Sequence, residues 1–206
     1  MLIAAILLAA GDASIDGVPL ALLPWDDGET LIEYNVAQLQ AAGVDVVVVV
    51  LGYDSERIIP LVALDDVEPI VNARWQAGQA GSLRSGATAV PRDTEAAIIV
   101  RIDEPREAGV YRRLLDAHAR SGAAITRPAF EGTPGTPIII GRPVLAEVRN
   151  VTDAAGGLDG ILARHAGEIV DAAFSDDAVL VRIEDAASYA RVRERLGYAT
   201  GSGNSR

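Results

Sequence analysis

The chain has 206 residues with a formal net charge of −11; half of its residues are hydrophobic and only 4% are aromatic. That length suits one domain with one sizeable core. The acidic balance argues against sequence-independent nucleic-acid binding, which needs a basic surface, and no apolar run approaches the roughly 18–20 residues of a membrane span. The chain has no Cys, which excludes disulfides and thiolate chemistry; all 18 basic residues are Arg, which excludes any chemistry that requires a lysine.

Residues 2–9 form a continuous apolar run, as expected for a strand buried on both faces rather than a signal peptide, since no basic segment precedes it. The expected compartment is the cytoplasm. Residues 30–42 have helical spacing, with Leu31, Tyr34, Leu39 and Ala42 available to one side and Gly43 as the stop. A valine-rich strand is predicted over 44–51, then a short helix to 62 that Asp54 can cap. A short strand follows at 69–71, a helix at 80–90, and a buried strand at 96–102 ending at Asp103. A helix over 109–121 closes at Gly122. Strands are expected at 123–127 and 137–140, helices at 143–149 and 158–165, and strands at 169–174 and 179–183. A last helix covers 185–196, and 199–206 reads as a flexible polar tail. The alternation predicts a three-layer, Rossmann-like α/β fold with a mainly parallel sheet across residues 1–198.

In such sheets the ligand sits at the carboxyl ends of the strands. The first strand ends in Leu8-Ala9-Ala10-Gly11, and the loop beyond it contains Asp12, Ile15, Asp16, Gly17, Pro19 and Leu20. A glycine-containing turn there can offer backbone N–H groups to a phosphate, or it is an ordinary strand-to-helix loop. The stretch from Asn72 through Trp75 to Ser82, Arg84 and Gly86 is polar, glycine-rich and opens a helix. It presents Ser82 to a ligand, or Trp75 is a core anchor and the glycines mark turns. Asp103, at the end of a central strand, is placed to hold Mg²⁺, which takes one or two carboxylates plus substrate phosphates; the plainer reading is a turn cap. Glu184 is a second candidate carboxylate, while Asp185 reads as the cap of the last helix. His118 and His165 have no partner at metal-ligand spacing. Trp25 follows Pro24, and either packs over the loop or closes the core.

Taken in order, these segments resemble the MobA-like NTP transferases, the molybdenum-cofactor cytidylyl- and guanylyltransferases and their relatives. Leu8-Ala9-Ala10-Gly11, Gly17 and Pro19 match the opening motif LAAG-x-x-x-R-x-G-x-P-K. The stretch from Asn72 to Gly86 matches N-x-x-W-x-x-G…S-L-R-x-G, and Asp103 with Pro105 matches the metal-binding D-x-P. Residues 127–142 resemble R-P…G…G-H-P…G-R, and 182–189 resemble D-I-D-T-P-E-D-Y. The resemblance implies Mg²⁺ on Asp103 and Glu184, nucleotide contacts at Gly11, Gly17, Ser82 and Arg84, and CTP or GTP joined to a phosphorylated small-molecule acceptor with release of pyrophosphate.

The departures fall on the chemistry. Ile15 stands at the motif's Arg and Leu20 at its Lys, Thr136 replaces the His, and Arg182 stands at the first Asp of the closing motif. Nucleotidyl transfer depends on positioning and on electrostatic stabilisation of phosphate oxygens. Losing two cations, each contributing roughly 1.5–3 kcal/mol, is expected to leave catalysis lost or much reduced. The protein is then a ligand-binding or protein-partner module. The alternative is a divergent Mg²⁺-dependent enzyme that recruits Arg84 or Arg101 for phosphate. If the pocket is otherwise intact, Ile15→Arg with Leu20→Lys is expected to create NTP binding.

Overall fold

A computed structural model describes residues 1–198; the tail expected over 199–206 lies outside the described residues. In chain order the elements begin with β1 (Ile3–Ala9), two short hairpins formed by β2 (Ser14–Ile15) with β3 (Val18–Pro19) and by β4 (Pro24–Asp26) with β5 (Glu29–Thr30), and α1 (Leu31–Ala41). There follow β6 (Val46–Leu51), α2 (Ser55–Val62), β7 (Val67–Val71), α3 (Gln79–Ala89), β8 (Ala96–Arg101) and α4 (Ala108–Ser121). The last part contains β9 (Ile125–Phe130), β10 (Thr133–Pro134), β11 (Ile138–Gly141), α5 (Arg142–Val148), α6 (Gly157–Arg164), β12 (Ile169–Ala173) and α7 (Ala186–Arg195).

Among the described residues, an eight-stranded sheet runs β10-β9-β11-β8-β1-β6-β7, with β12 alongside β9. The central strands β7, β6, β1 and β8 are parallel, β12 is parallel to β9, and β11 is antiparallel to β8 and β9. The mainly parallel sheet expected from the sequence is therefore present. Period-two alternation divides its apolar residues between two faces. Ala5, Leu7, Val47, Val49, Ile98 and Val100 pack with α1, α2 and α4. Ala4, Ile6, Val48, Val50, Ala97 and Ile99 pack with α3, α5 and α6. Aliphatic side chains buried on both faces make continuous apolar runs the natural sequence here. At Gly86 a Cβ would lie 2.4 Å from Ile6 Cγ2 and 2.9 Å from Val50 Cγ2, so glycine lets α3 approach the sheet.

Local signals explain most of the boundaries. Thr30 and Glu33 form a capping box on α1, and Gly122 ends α4 in the left-handed conformation. Asp185 caps α7, accepting from Ser188 N at 2.7 Å. Asp54 precedes α2, but its side chain makes no cap bond and instead accepts from Arg57 Nη1 at 2.6 Å.

One expected strand is absent. Residues 179–183 alternate in burial, but they join no sheet: Asp177–Leu180 is a 3₁₀ turn and the rest is extended chain. The segment has isolated tethers instead of a ladder. Ile183 N donates to the Asp103 carbonyl at 2.8 Å, and the Val179 carbonyl accepts from Thr136 N at 3.0 Å. Alternation reports a segment buried on one side, and pairing is a separate condition. No helix of the described residues is long and apolar enough to cross a membrane.

Candidate functional site

The carboxyl ends of β1 and β8 open onto a cavity of about 570 Å³, within the size range of small-molecule sites. Its wall includes Ala10, Gly11, Asp12 and Leu20 from the loop after β1, Tyr53 after β6, and Trp75 and Ser82 from the approach to α3 and its first turn. Arg101 and Asp103 reach it from the end of β8, and Arg182 and Glu184 from the extended segment before α7.

The loop after β1 is a hairpin. Asp16 and Gly17 have φ of 51° and 79°, the left-handed pair that tight two-residue hairpins require and that Asp-Gly adopts readily. The hairpin carries Ile15 inward. Ile15 and Leu20 are buried together with Leu23, Trp25, Leu31, Tyr34, Ile183 and Val192. Trp25 is fully buried, its ring centroid 4.8 Å from that of Tyr34. It packs beneath the loop and also closes the core, so both readings of this residue hold. The two positions where the sequence motif has cations thus form part of a small apolar core. Introducing Arg at Ile15 and Lys at Leu20 would disrupt that core, which removes the condition attached to the restoration experiment, an otherwise intact pocket.

The end of β8 is the opposite case. Asp103 is 6% exposed. Arg101 grips its carboxylate with two bonds, Nε to Oδ1 and Nη2 to Oδ2, both 3.0 Å. Arg182 Nε donates to Oδ2 at 2.6 Å. Burial alone would push the Asp103 carboxyl upward; the two guanidiniums outweigh it and hold the group below the usual carboxylate range. Glu104, buried beside Asp103, is pushed upward by burial and then by the Asp103 charge. Arg101 and Arg182 keep 34% and 43% of their side-chain surface exposed. Among the described residues, neither Nη1 of Arg101 nor either Nη of Arg182 has a hydrogen-bond partner.

The other expected site residues divide. Gly11 and Ser82 line the cavity, and a Cβ at Gly11 would meet nothing within 4 Å. Ser82 Oγ accepts from Asn72 Nδ2 at 2.9 Å. Gly17 lies at the hairpin tip, outside the cavity wall, where its role is the turn. Arg84 also lies outside the wall, and its Nη1 donates to the Val151 carbonyl at 3.0 Å. The amino end of α3 is taken as well: Asp153 Oδ1 accepts from Ala80 N at 3.2 Å. That carboxylate occupies the donor end where an anion would otherwise be favoured.

The residues present do not fit a divalent metal. Both Asp103 oxygens are committed to guanidinium N–H groups, and a third positive charge would have to enter between them. Glu184 lines the same cavity but is exposed. Among the described residues, no group of three or more His, Cys, Asp or Glu could hold a metal ion. His118 is buried, with Nδ1 2.9 Å from Thr126 Oγ1, and His165 sits between Glu147 and Glu168. Neither lines the cavity.

Two features escaped the sequence. Arg106 is 2% exposed and donates to the carbonyls of Pro105, Thr136 and Val179 and to Thr136 Oγ1. It ties the segment around 136 to the one around 179, so Thr136 has a structural partner. Tyr53 and Trp75 form an edge-on pair, with centroids 6.0 Å apart, on the cavity wall. Tyr53 follows a buried strand, and its position at a strand end was the available signal.

A family model described as the MobA-like NTP transferase domain matches residues 5–169. No curated protein matches the sequence. Among solved structures, Rv0371c from Mycobacterium tuberculosis superposes with a TM-score of 0.77 at 23% identity, covering 94% of this chain and 98% of that one. A nucleotidyl transferase from Methanothermobacter, Mth528, gives 0.78 at 23% identity, covering 95% and 97%. A manganese complex of Rv0371c gives 0.75 at 23% identity, covering 94% and 99%. These likenesses are of fold.

Proposed function

The chain belongs to the MobA-like NTP transferase family, and on that basis we propose that it keeps the family's cavity as a nucleotide-binding site while nucleotidyl transfer is lost or much reduced. One observation carries the reading: Arg182 bonds Asp103 at 2.6 Å, on the acid that the sequence motif assigns to the metal. The burial of Ile15 and Leu20 supports it, because the loop presents no cation to a triphosphate. Transition-state stabilisation in this chemistry is chiefly electrostatic, and Arg182 engages the acid on which the motif would hold a cation.

The motifs resemble those of molybdenum-cofactor cytidylyl- and guanylyltransferases, which makes CTP and GTP the nucleotides to test and a phosphorylated small molecule the acceptor class. Titration of the protein with each NTP, in Mg²⁺ and in EDTA, checks the reading. No stimulation by Mg²⁺ is expected. Tight binding that requires Mg²⁺ and weakens in Asp103→Ala would overturn it.

A second reading has a specific observation in its favour: Asp103 and Glu184 line the same cavity. A divergent Mg²⁺-dependent enzyme would use those two acids, but only after both arginines release Asp103.

A further inference from the structure

The cavity wall carries Arg101 and Arg182 against Asp12, Asp103 and Glu184. Three negative and two positive charges do not suit an NTP, which brings on the order of four negative charges. The charges are not spread evenly. Asp103 sits between the two arginines, and Glu104 Oε1 lies 3.9 Å from Arg101 Nε, so the charges at that end roughly balance while N–H groups of Arg101 and Arg182 have no partner among the described residues. A guanidinium already held through one edge by a buried carboxylate is oriented before a ligand arrives, and its remaining edge matches two phosphate oxygens. Asp12 and Glu184 are the acids without such a partner, and both are exposed.

From this arrangement, and resting on the proposed nucleotide site, we infer that the cavity binds a nucleoside monophosphate without a metal, its phosphate taken by the outer N–H groups of Arg101 and Arg182. A single phosphate carries about two negative charges. It meets the arginine pair without placing further phosphates against Asp12 and Glu184. The edge-on Tyr53–Trp75 pair supplies an aromatic surface on the same wall. The guanidinium of Arg182 then serves as the fixed cation, and Asp103 becomes its positioning residue.

Trp75 is half-buried on the cavity wall whereas Trp25, the other tryptophan, is fully buried elsewhere, so intrinsic fluorescence reports occupancy. The protein is titrated in EDTA with CMP, GMP, ribose 5-phosphate, inorganic phosphate, CTP and GTP. CMP or GMP is expected to bind more tightly than its triphosphate, with no change on adding Mg²⁺. Arg182→Gln is expected to weaken the monophosphate at least about tenfold, and Arg182→Lys, which keeps the charge without the fork, to fall between. Asp103→Asn is expected to weaken the monophosphate less than Arg182→Gln does, since it loosens the two guanidiniums but also removes their counter-charge. Absence of monophosphate binding, equal binding by inorganic phosphate, or unchanged binding in Arg182→Gln would each overturn the inference. Mg²⁺-dependent NTP binding would instead overturn the reading on which it rests, so the two failures are distinguishable.

Discussion

The hairpin after β1 and the charged segment at the end of β8 line the same cavity, yet they differ from the family motifs in opposite ways. In the hairpin, aliphatic side chains stand where the motif has cations, and they turn inward with Trp25 and Ile183. Beside the end of β8, an arginine of the extended segment before α7 stands where the motif has an acid, and its head remains at the cavity. The first places aliphatic side chains in a small core whose Leu20 and Ile183 also reach the cavity wall. The second places a guanidinium at that wall. The two are joined by adjacent residues of one extended segment: Ile183 packs under the hairpin while Arg182 pairs with Asp103.

Substitutions that restore the motif break this comparison most forcefully in the hairpin. Ile15→Arg with Leu20→Lys places two charges at sites that are 8% and 7% exposed. Both stems can extend toward solvent, which limits the cost, but apolar packing against Trp25 and Tyr34 is lost. A destabilisation of about 3 kcal/mol is expected by urea unfolding. A double variant as stable as the parent would show that the hairpin is still site rather than core.

The strand end should respond less, and with a dependence on pH. Asp103→Asn removes the counter-charge of two partly exposed arginines. After allowance for solvent screening, the expected loss near neutral pH is about 1 kcal/mol. The folded-state pKa of Asp103 lies below the ordinary 3.8. Its contribution is therefore complete above the unfolded value and disappears as pH falls through the folded one. The stability gap between parent and variant should close in that acid range. A gap that stays constant would mean that Asp103 contributes through packing and not through its charge.

Much of the fold could be read from the sequence, because buried parallel strands require continuous apolar runs, and those of β1 and β6 are unbroken while that of β8 continues to Val100. Residues 179–183 misled because alternation marks burial on one side and does not reveal whether a partner strand lies alongside. Site residues followed the same division. Asp103, Gly11 and Ser82 reach the cavity because strand ends and first helical turns place them there. Arg84, two positions past Ser82, donates instead to the Val151 carbonyl. The pairing of Arg182 with Asp103 spans 79 residues, and nothing local in either segment announces it. Arg106 is similar: only the assembled fold supplies the carbonyls that justify burying it.

On the proposed function, a guanidinium is bonded to the acid that the sequence motif assigns to a metal. Electron paramagnetic resonance of Mn²⁺ in the presence of CTP tests it directly, with the parent compared to Arg182→Asp. No protein-bound Mn²⁺ is expected in the parent beyond the Mn²⁺–CTP control, and about one bound equivalent in Arg182→Asp, where four acids would face the cavity. One tightly bound Mn²⁺ in the parent, lost in Asp103→Asn, would contradict it.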